Sequence, residues 1–152
     1  MEIEDPDYME YLKHKQDFEN YLKNKGFYFR EVLGDGNCFF RSVADQMENN
    51  QCNHFKYRKL AVEFLRDNQS HFQNFLTNFE GTFRDCLSIM IKNGTWRGHL
   101  EILALSSSLK VSFHLYRDDK GVNIVDGCGI TNPKILYLAF NQARSHYSSI
   151  KN

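Results

Sequence analysis

The sequence predicts an α+β fold in a single domain, because helical patterns fill its first two-thirds and strand patterns its last third. The chain has 152 residues, which is close to the usual length of one domain. Hydrophobic residues make up 41 % and charged residues 25 %, an ordinary globular composition that argues against disorder. Helices and strands that are separated along the chain favour α+β over a doubly wound α/β fold.

The helical part begins with an amphipathic segment over residues 8–25, where aromatic and leucine side chains recur at helical spacing between Lys and Glu. Pro6 and Asp7 mark its start and Gly26 its end. Residues 27–33 are aromatic and β-branched, which predicts a short strand or extended segment. Further helices are predicted from Cys38 to Met47, over 55–66, as a short helical or irregular stretch over 72–79, over 83–91, and from about Gly98 to Leu105.

The last third of the chain consists of short runs rich in β-branched and aromatic residues, joined by turn-forming connectors. Strands are predicted over 111–116, 122–125, 135–140 and 146–150. Because no repeat or linker divides the chain, residues 1–152 are expected to form one domain, which includes a helical segment over 1–26.

The charge balance and the cysteines limit what the chain can bind. Nineteen basic residues balance 19 acidic ones, so no net basic field attracts nucleic acid. No apolar run reaches the roughly 18 residues of a membrane span, and no signal peptide is evident. None of the four cysteines forms a C-x-x-C pair, so a zinc site has little support, and nothing else in the sequence implies a metal or an organic cofactor. We expect a monomer with reduced thiols in the cytoplasm, or also in the nucleus, with neither nucleic acid nor membrane as a partner.

Cys38 carries the strongest chemical signal in the sequence. It follows a turn-forming Gly-Asp-Gly-Asn tetrad at 34–37 and opens a predicted helix. A helix N-terminus presents free N–H groups and partial positive charge, which favour a thiolate and lower a cysteine pKa from about 8.5. The N–H groups of Cys38 and of residues 35–37 are candidate donors to an oxyanion. The alternative is a small buried core thiol, the interpretation that composition favours for Cys52 and Cys86.

A reactive thiol needs a base, and histidine titrates in the required range. Of the six histidines, His146 stands where the chain enters a predicted strand after a polar turn, a position that holds the imidazole rigidly. The others lie on polar helix faces, at a loop–helix junction or within a strand; they are His14, His54, His71, His99 and His114. Taken alone, His146 is equally consistent with an ordinary surface histidine.

Three sequence blocks resemble those of the OTU (ovarian tumour) cysteine proteases, in the same order. DGNCFFRS at 35–42 resembles the signature D-G-N-C-[LF]-[FY]-R-[AS]. GTWRGHLEILAL at 94–105 resembles G-x-W-[GA]-G-x-x-E-[IL]-x-A-[LF], and HYSSI at 146–150 resembles the closing H-Y-[DN]-S-V. The three blocks together span residues 28–150, which is nearly the whole chain.

The resemblance implies a papain-like α+β domain, with a small twisted central sheet flanked by helices, that hydrolyses isopeptide bonds after the C-terminal Gly-Gly of ubiquitin. It implies Cys38 as nucleophile, His146 as general base and then acid, and Asp35 as the acidic residue counted with the active site. Ubiquitin, polyubiquitin chains and ubiquitinated proteins are the implied partners. Trp96 is a candidate wall of the substrate channel, although core packing is the commoner role of a single tryptophan.

Two positions depart from the family pattern. Ser148 stands where the family has Asp or Asn, and a hydroxyl stabilises an imidazolium less than a carboxylate does. The group that orients His146 is therefore left open among Asp35, Ser148, Asn37 and Asn141. Arg97 replaces the small residue between Trp96 and Gly98, where it would narrow a channel or add a charged contact.

These departures support alternative hypotheses. The domain could bind ubiquitin with weak or no catalysis, or it could act on another ubiquitin-like modifier. A redox-sensing thiol is the weakest alternative, because the next cysteine, Cys52, is 14 positions away (52 − 38). Cys128 lies between two glycines without a following helix and is interpreted as a loop residue.

Overall fold

The computed structural model describes residues 5–72, 82–96, 98–126 and 131–152. Its helices are α1 (Pro6–Asn24), α2 (Cys38–Glu48), α3 (His54–Asp67), α4 (Gln69–Phe72), α5 (Phe83–Met90) and α6 (His99–Leu109), and a 3₁₀ turn at Gln51–Asn53 precedes α3. Its strands are β1 (Tyr28–Arg30), β2 (Val111–Arg117), β3 (Val122–Asp126), β4 (Lys134–Asn141) and β5 (His146–Lys151). In the described ranges, no helix combines the length and apolar character needed to cross a membrane.

The strands form one mixed sheet in the order β1-β5-β4-β2-β3. Strands β2 and β4 are parallel, and the other neighbouring pairs are antiparallel. The predicted α+β fold is confirmed, with strand boundaries within two residues of the expected ones except in the first. That strand was predicted over 27–33 but covers only three residues, because it pairs only with residues 149–151 of β5 and the chain then turns towards Cys38.

Helices cover both faces of the sheet. On one face, α2, α3 and α6 build the main core, which centres on the fully buried side chains of Phe39, Phe40, Phe113, Leu136 and Leu138. On the other face, α1 buries Phe18 and Leu22 against Phe27, Ala139 and Ile150. Apolar residues at helical and alternating spacing thus face the sheet from each side, as the periodicity predicts.

Local sequence signals set the helix ends. The Asp5 side chain accepts a hydrogen bond from the N–H of Asp7, and Pro6 occupies the first turn of α1. Thr82 and Asp85 form a reciprocal capping box at the start of α5. Of the predicted stretch over 72–79, the structure describes Phe72, which is the last residue of α4. The rest of the stretch lies outside the described residues.

Candidate active site

The turn before Cys38 is built around the carboxylate of Asp35. Its Oδ1 accepts the N–H of Asn37 at 3.0 Å, and the backbone carbonyl of Asp35 accepts the N–H of Cys38 at 3.2 Å. Arg41, one turn into α2, donates two hydrogen bonds to the carboxylate, from Nη2 at 2.9 Å and from Nε at 3.2 Å. The Arg41 hydrogen bond is the main reason that the pKa of Asp35 is lowered to about 2. Asp35 therefore braces the turn, and its polar contacts are with Arg41 and Asn37, not with His146.

This brace leads to a pH-dependent stability prediction for Asp35→Asn. Because the folded pKa of Asp35 is depressed, its stabilisation is present above the unfolded value of 3.8 and is lost as pH falls towards 2. We expect Asp35→Asn to reduce the free energy of unfolding by about 1 kcal/mol at pH 7. That difference should disappear between pH 4 and about pH 2 in urea titrations.

A matched control is Asp67→Asn, which breaks the exposed ion pair between Arg66 and Asp67 and should change stability little at any pH. Equal losses in the two variants, or a loss that persists unchanged at pH 2, would contradict a specific brace at Asp35.

Cys38 is the first residue of α2, as predicted, and its thiol contacts the last strand. The N–H of Tyr147 donates to Sγ at 3.4 Å. This contact is possible because the ladder between β1 and β5 ends at Ser149, so the edge of β5 beside Tyr147 is left for the thiol. Only 6 % of Cys38 is exposed, and this burial raises the pKa of its thiol. The N–H groups of Tyr147 and Phe39 act in the opposite direction without overcoming burial.

Burial thus opposes the predicted thiolate in the free protein. A helix N-terminus favours the thiolate, but desolvation of the nearly buried sulfur has the larger effect here, so the pKa of Cys38 is raised and not lowered. The predicted oxyanion donors also need revision. The N–H groups of Asp35, Asn37 and Cys38 are used inside the turn, which leaves that of Gly36 as the turn amide without an acceptor among the described residues.

His146 begins β5 and is half-buried at the same corner of the sheet. A methyl group built on Gly34 would lie 3.9 Å from both Cε1 and Nδ1 of the imidazole, so the ring rests against the start of the Cys38 turn. Burial lowers the pKa of His146, which keeps the imidazole neutral and able to accept a proton at neutral pH. Within the described parts of the chain, no hydrogen bond joins the imidazole to the Cys38 thiol.

The structure narrows the candidates for orienting His146. Asn37 uses its side-chain oxygen for Arg58 and Gly94 and its amino group for Asp35. Asn141 lies opposite His146 in the register between β4 and β5, and Ser148 shares a sheet face with His146. Both line one pocket with the imidazole, and so does Glu31, which the sequence analysis did not consider. The negative charge of Glu31 partly offsets the effect of burial on the pKa of His146.

An aromatic cluster packs beside the site, and it includes Phe39 and Tyr147, which follow Cys38 and His146 in the sequence. Trp96 is partly exposed and packs with ring-centroid distances of 5.0 Å to Phe39, 5.9 Å to Phe40 and 5.4 Å to Tyr147. It therefore belongs to the core while keeping one side at the surface, which allows both roles considered for it. Arg97 and Cys128 lie outside the described residues.

Helix α1 is attached to the turn that precedes His146. Arg144 donates to the hydroxyl of Tyr11 at 2.7 Å and lies over its ring. His14 contacts Asp118 at 2.8 Å, and Asp118 in turn accepts the N–H of Gln142 at 3.1 Å. The helical segment predicted over residues 1–26 thus supports the turn over 142–145, and His14 is not simply solvated.

Besides Glu31, sequence reasoning missed two features of the site. Arg58 is fully buried on α3, and its guanidinium binds the turn before Cys38. A signal for it was present, because Arg58 occupies the apolar stripe of α3 with Ala61 and Leu65, three and seven positions on. The second feature is the approach of Gly94 to Gly36: a methyl group on Gly36 would lie 1.6 Å from the Gly94 carbonyl oxygen. His54, predicted to be solvated, is partly buried, with a buried Nδ1 that has no partner in the described chain.

The chain is similar in sequence to a known protein family. The family model described as OTU-like cysteine protease matches residues 33–147, which include Cys38 and His146 and exclude α1. The chain is 30 % identical over 135 residues to ovarian tumor domain-containing deubiquitinating enzyme 7 of Arabidopsis thaliana, covering 89 % of this chain and 36 % of that protein. It is 36 % identical over 98 residues to human OTU domain-containing protein 4, covering 64 % and 8 %. The chain thus spans only a minor part of these relatives.

Solved structures share the fold. The OTU domain of OTUD1 matches with a TM-score of 0.84 and 23 % identity, covering 93 % of this chain and 97 % of that one. An OTU domain in complex with ubiquitin matches with a TM-score of 0.69 and 20 % identity, covering 82 % and 69 %. An OTU deubiquitinase from Wolbachia pipientis wMel bound to ubiquitin matches with a TM-score of 0.62 and 19 % identity, covering 83 % and 96 %.

Proposed function

Since the chain belongs to the OTU-like cysteine protease family, we propose that it is a deubiquitinase that hydrolyses isopeptide bonds after the C-terminal Gly-Gly of ubiquitin. The observation that carries this proposal is the position of the Cys38 thiol, at the start of a helix and against the strand that His146 begins. Two fold relatives were solved with ubiquitin bound, which supports ubiquitin as the modifier. Residues 1–152 act as one catalytic domain in this proposal, in a reducing compartment such as the cytoplasm.

In the proposed reaction, the thiol of Cys38 attacks the carbonyl carbon of the terminal glycine while its proton passes to His146. Substrate binding brings the imidazole, which rests against Gly34 in the free protein, within hydrogen-bonding distance of Sγ. Because burial raises the pKa of the Cys38 thiol and lowers that of the His146 imidazole, we expect the proton to move as the Cys38–carbonyl bond forms.

The tetrahedral intermediate carries an oxyanion, to which the N–H of Gly36 is the available donor of the turn. The C–N bond then breaks, and His146 protonates the departing lysine amine, leaving a thioester on Cys38. His146 next removes a proton from water, which attacks the thioester carbonyl, and that proton returns to sulfur as the ubiquitin carboxylate leaves. Asp35 acts as a positioning residue that holds the turn through Arg41 and Asn37.

The test is incubation of the purified chain with ubiquitin bearing a C-terminal electrophile and with the panel of ubiquitin dimers. We expect a covalent adduct on Cys38, with the other thiols unmodified, and cleavage of at least one dimer. Probes built on other ubiquitin-like modifiers run in parallel. Labelling by one of these and not by ubiquitin would reassign the modifier, and no labelling by any of them would refute the protease proposal.

A second candidate, a ubiquitin-binding module without useful catalysis, is favoured by the buried thiol with its raised pKa and by Ser148 in place of an acidic residue. It differs from the enzyme in one measurement. At high protein concentration, a binding module retains ubiquitin dimers on a column without cleaving them, whereas the enzyme releases monomeric ubiquitin.

A further inference from the structure

We propose that Arg58 is a positioning residue of the active site, whose guanidinium fastens the turn before Cys38 to the segment that carries Trp96. This inference rests on the proposed function for its catalytic consequence. The fastening itself is a property of the fold and can be measured without ubiquitin.

The two terminal nitrogens of the Arg58 guanidinium donate hydrogen bonds to two separate segments, residues 36–37 and residues 90–95. Nη2 donates to the carbonyl of Gly36 at 3.2 Å and to Oδ1 of Asn37 at 2.8 Å. Nη1 donates to the carbonyls of Met90 at 2.9 Å and Thr95 at 2.6 Å, and to the Thr95 hydroxyl at 3.1 Å. One buried fork therefore links the residues just before Cys38 to the residue just before Trp96.

The two segments also contact each other directly, so their separation is sensitive to this link. Oδ1 of Asn37, which accepts from Arg58, accepts the N–H of Gly94 at 2.8 Å as well. Gly36 and the Gly94 carbonyl are so close that any side chain on Gly36 would collide with it. Because Gly36 supplies the available oxyanion donor, a shift of the 94–96 segment would move that donor relative to Cys38.

The chemistry of the site calls for an arginine. Arg58 has no exposed surface, and a buried charge is costly unless it is paired and hydrogen-bonded. Burial lowers the pKa of Arg58, while the negative charge of Glu101, itself buried on α6, acts in the opposite direction. The guanidinium also stacks over the Phe40 ring at 4.6 Å. A lysine side chain lacks the planar guanidinium, and its single ammonium cannot donate hydrogen bonds to both segments at once.

We therefore expect Arg58→Lys to lower kcat/KM for ubiquitin-dimer cleavage about 100-fold, mostly through kcat, because displaced catalytic groups cost about this much. The matched control is Leu65→Ala, which removes a fully buried side chain from the same helix, away from the turn. Urea titrations of both variants are run first, to check that each is folded and that the two are comparably destabilised. The control should keep kcat within about threefold, since its loss is one of packing and not of active-site geometry.

Trp96 provides a direct reporter, since it is the single tryptophan of the chain. In the folded Arg58→Lys variant, acrylamide should quench Trp96 fluorescence more strongly than in the wild type, and amide hydrogens over 36–38 and 94–96 should exchange faster. Leu65→Ala should show neither change locally. These two readouts do not need ubiquitin, so they test the fastening even if the chain proves to cleave no ubiquitin substrate.

The inference is overturned if folded Arg58→Lys keeps both wild-type quenching and wild-type exchange, or if Leu65→Ala loses kcat to the same extent. Should Arg58→Lys not fold, Thr95→Val replaces it, since it removes the hydroxyl that accepts from Nη1 and that also donates to the carbonyls of Ile89, Met90 and Lys92, within the segment that Arg58 fastens. We expect a milder loss of about fivefold in kcat with stronger quenching of Trp96. Unchanged kcat and unchanged quenching in Thr95→Val would equally refute the role of Arg58.

Discussion

Cys38→Ala is expected to reduce ubiquitin-dimer cleavage by at least about 10⁴-fold, to the background of the assay, because no other group can form the thioester. The fold should persist, since alanine fits a buried position at the start of a helix and, among the described residues, the thiol accepts a hydrogen bond from the N–H of Tyr147 alone. The measurement is single-turnover cleavage at high enzyme concentration, with ubiquitin binding recorded in parallel. Binding should survive the substitution while cleavage is lost.

Cys52→Ala is the matched control, because Cys52 is exposed on the 3₁₀ turn before α3 and lies outside the proposed reaction. It should cleave ubiquitin dimers at the wild-type rate and still form the adduct with the electrophilic probe. If cleavage survived in Cys38→Ala and disappeared in Cys52→Ala, the proposed nucleophile, Cys38, would be wrong.

His146→Ala is expected to lower kcat about 10³-fold, because both proton transfers then lack a positioned acid–base group. The pH profile supplies a second readout. Burial lowers the pKa of His146, so in the wild type the neutral base persists below the ordinary value of 6.5, and activity should fall only at lower pH. This acid limb should be absent in His146→Ala, whereas Asp35→Asn should retain it, because Asp35 does not contact the imidazole.

Ser148→Asp tests whether this serine is a weakened substitute for the family's acidic residue. Ser148 lines the same pocket as His146, so a carboxylate there should stabilise the imidazolium and increase kcat by about threefold or more. The acid limb should shift to higher pH at the same time. A folded Ser148→Asp variant with unchanged kcat and pH profile would leave Asn141 and Glu31 as the remaining neighbours of the imidazole.

The order of helices and strands could be predicted from the sequence because periodicity is a local property. Helix α2 was expected from Cys38 to Met47 and runs to Glu48, and β5 was expected over 146–150 and runs to Lys151. The first strand was too long in the prediction, because its length depends on how much of β5 is available for pairing. That pairing is a contact across the whole chain and leaves no trace in residues 27–33.

The roles within the site were predictable only in part. Cys38 and His146 stand out through the turn, the helix start and the resemblance to a family, and they remain predictions for the variants above to test. Asp35 was considered an orienter of His146, yet its carboxylate is held by Arg41, six residues along the chain. The burial of Arg58 is not predictable from the sequence, because a single arginine on an amphipathic helix is ordinarily solvated.

By itself, the sequence determined the fold class, the sites of the secondary-structure elements and the family, since these depend on spacing and short motifs. Tertiary structure alone decided the direction in which the pKa of Cys38 is shifted, the partner of Asp35 and the burial of Arg58. Each of these depends on which segments exclude water from a given atom, and desolvation arises only when distant parts of the chain pack together.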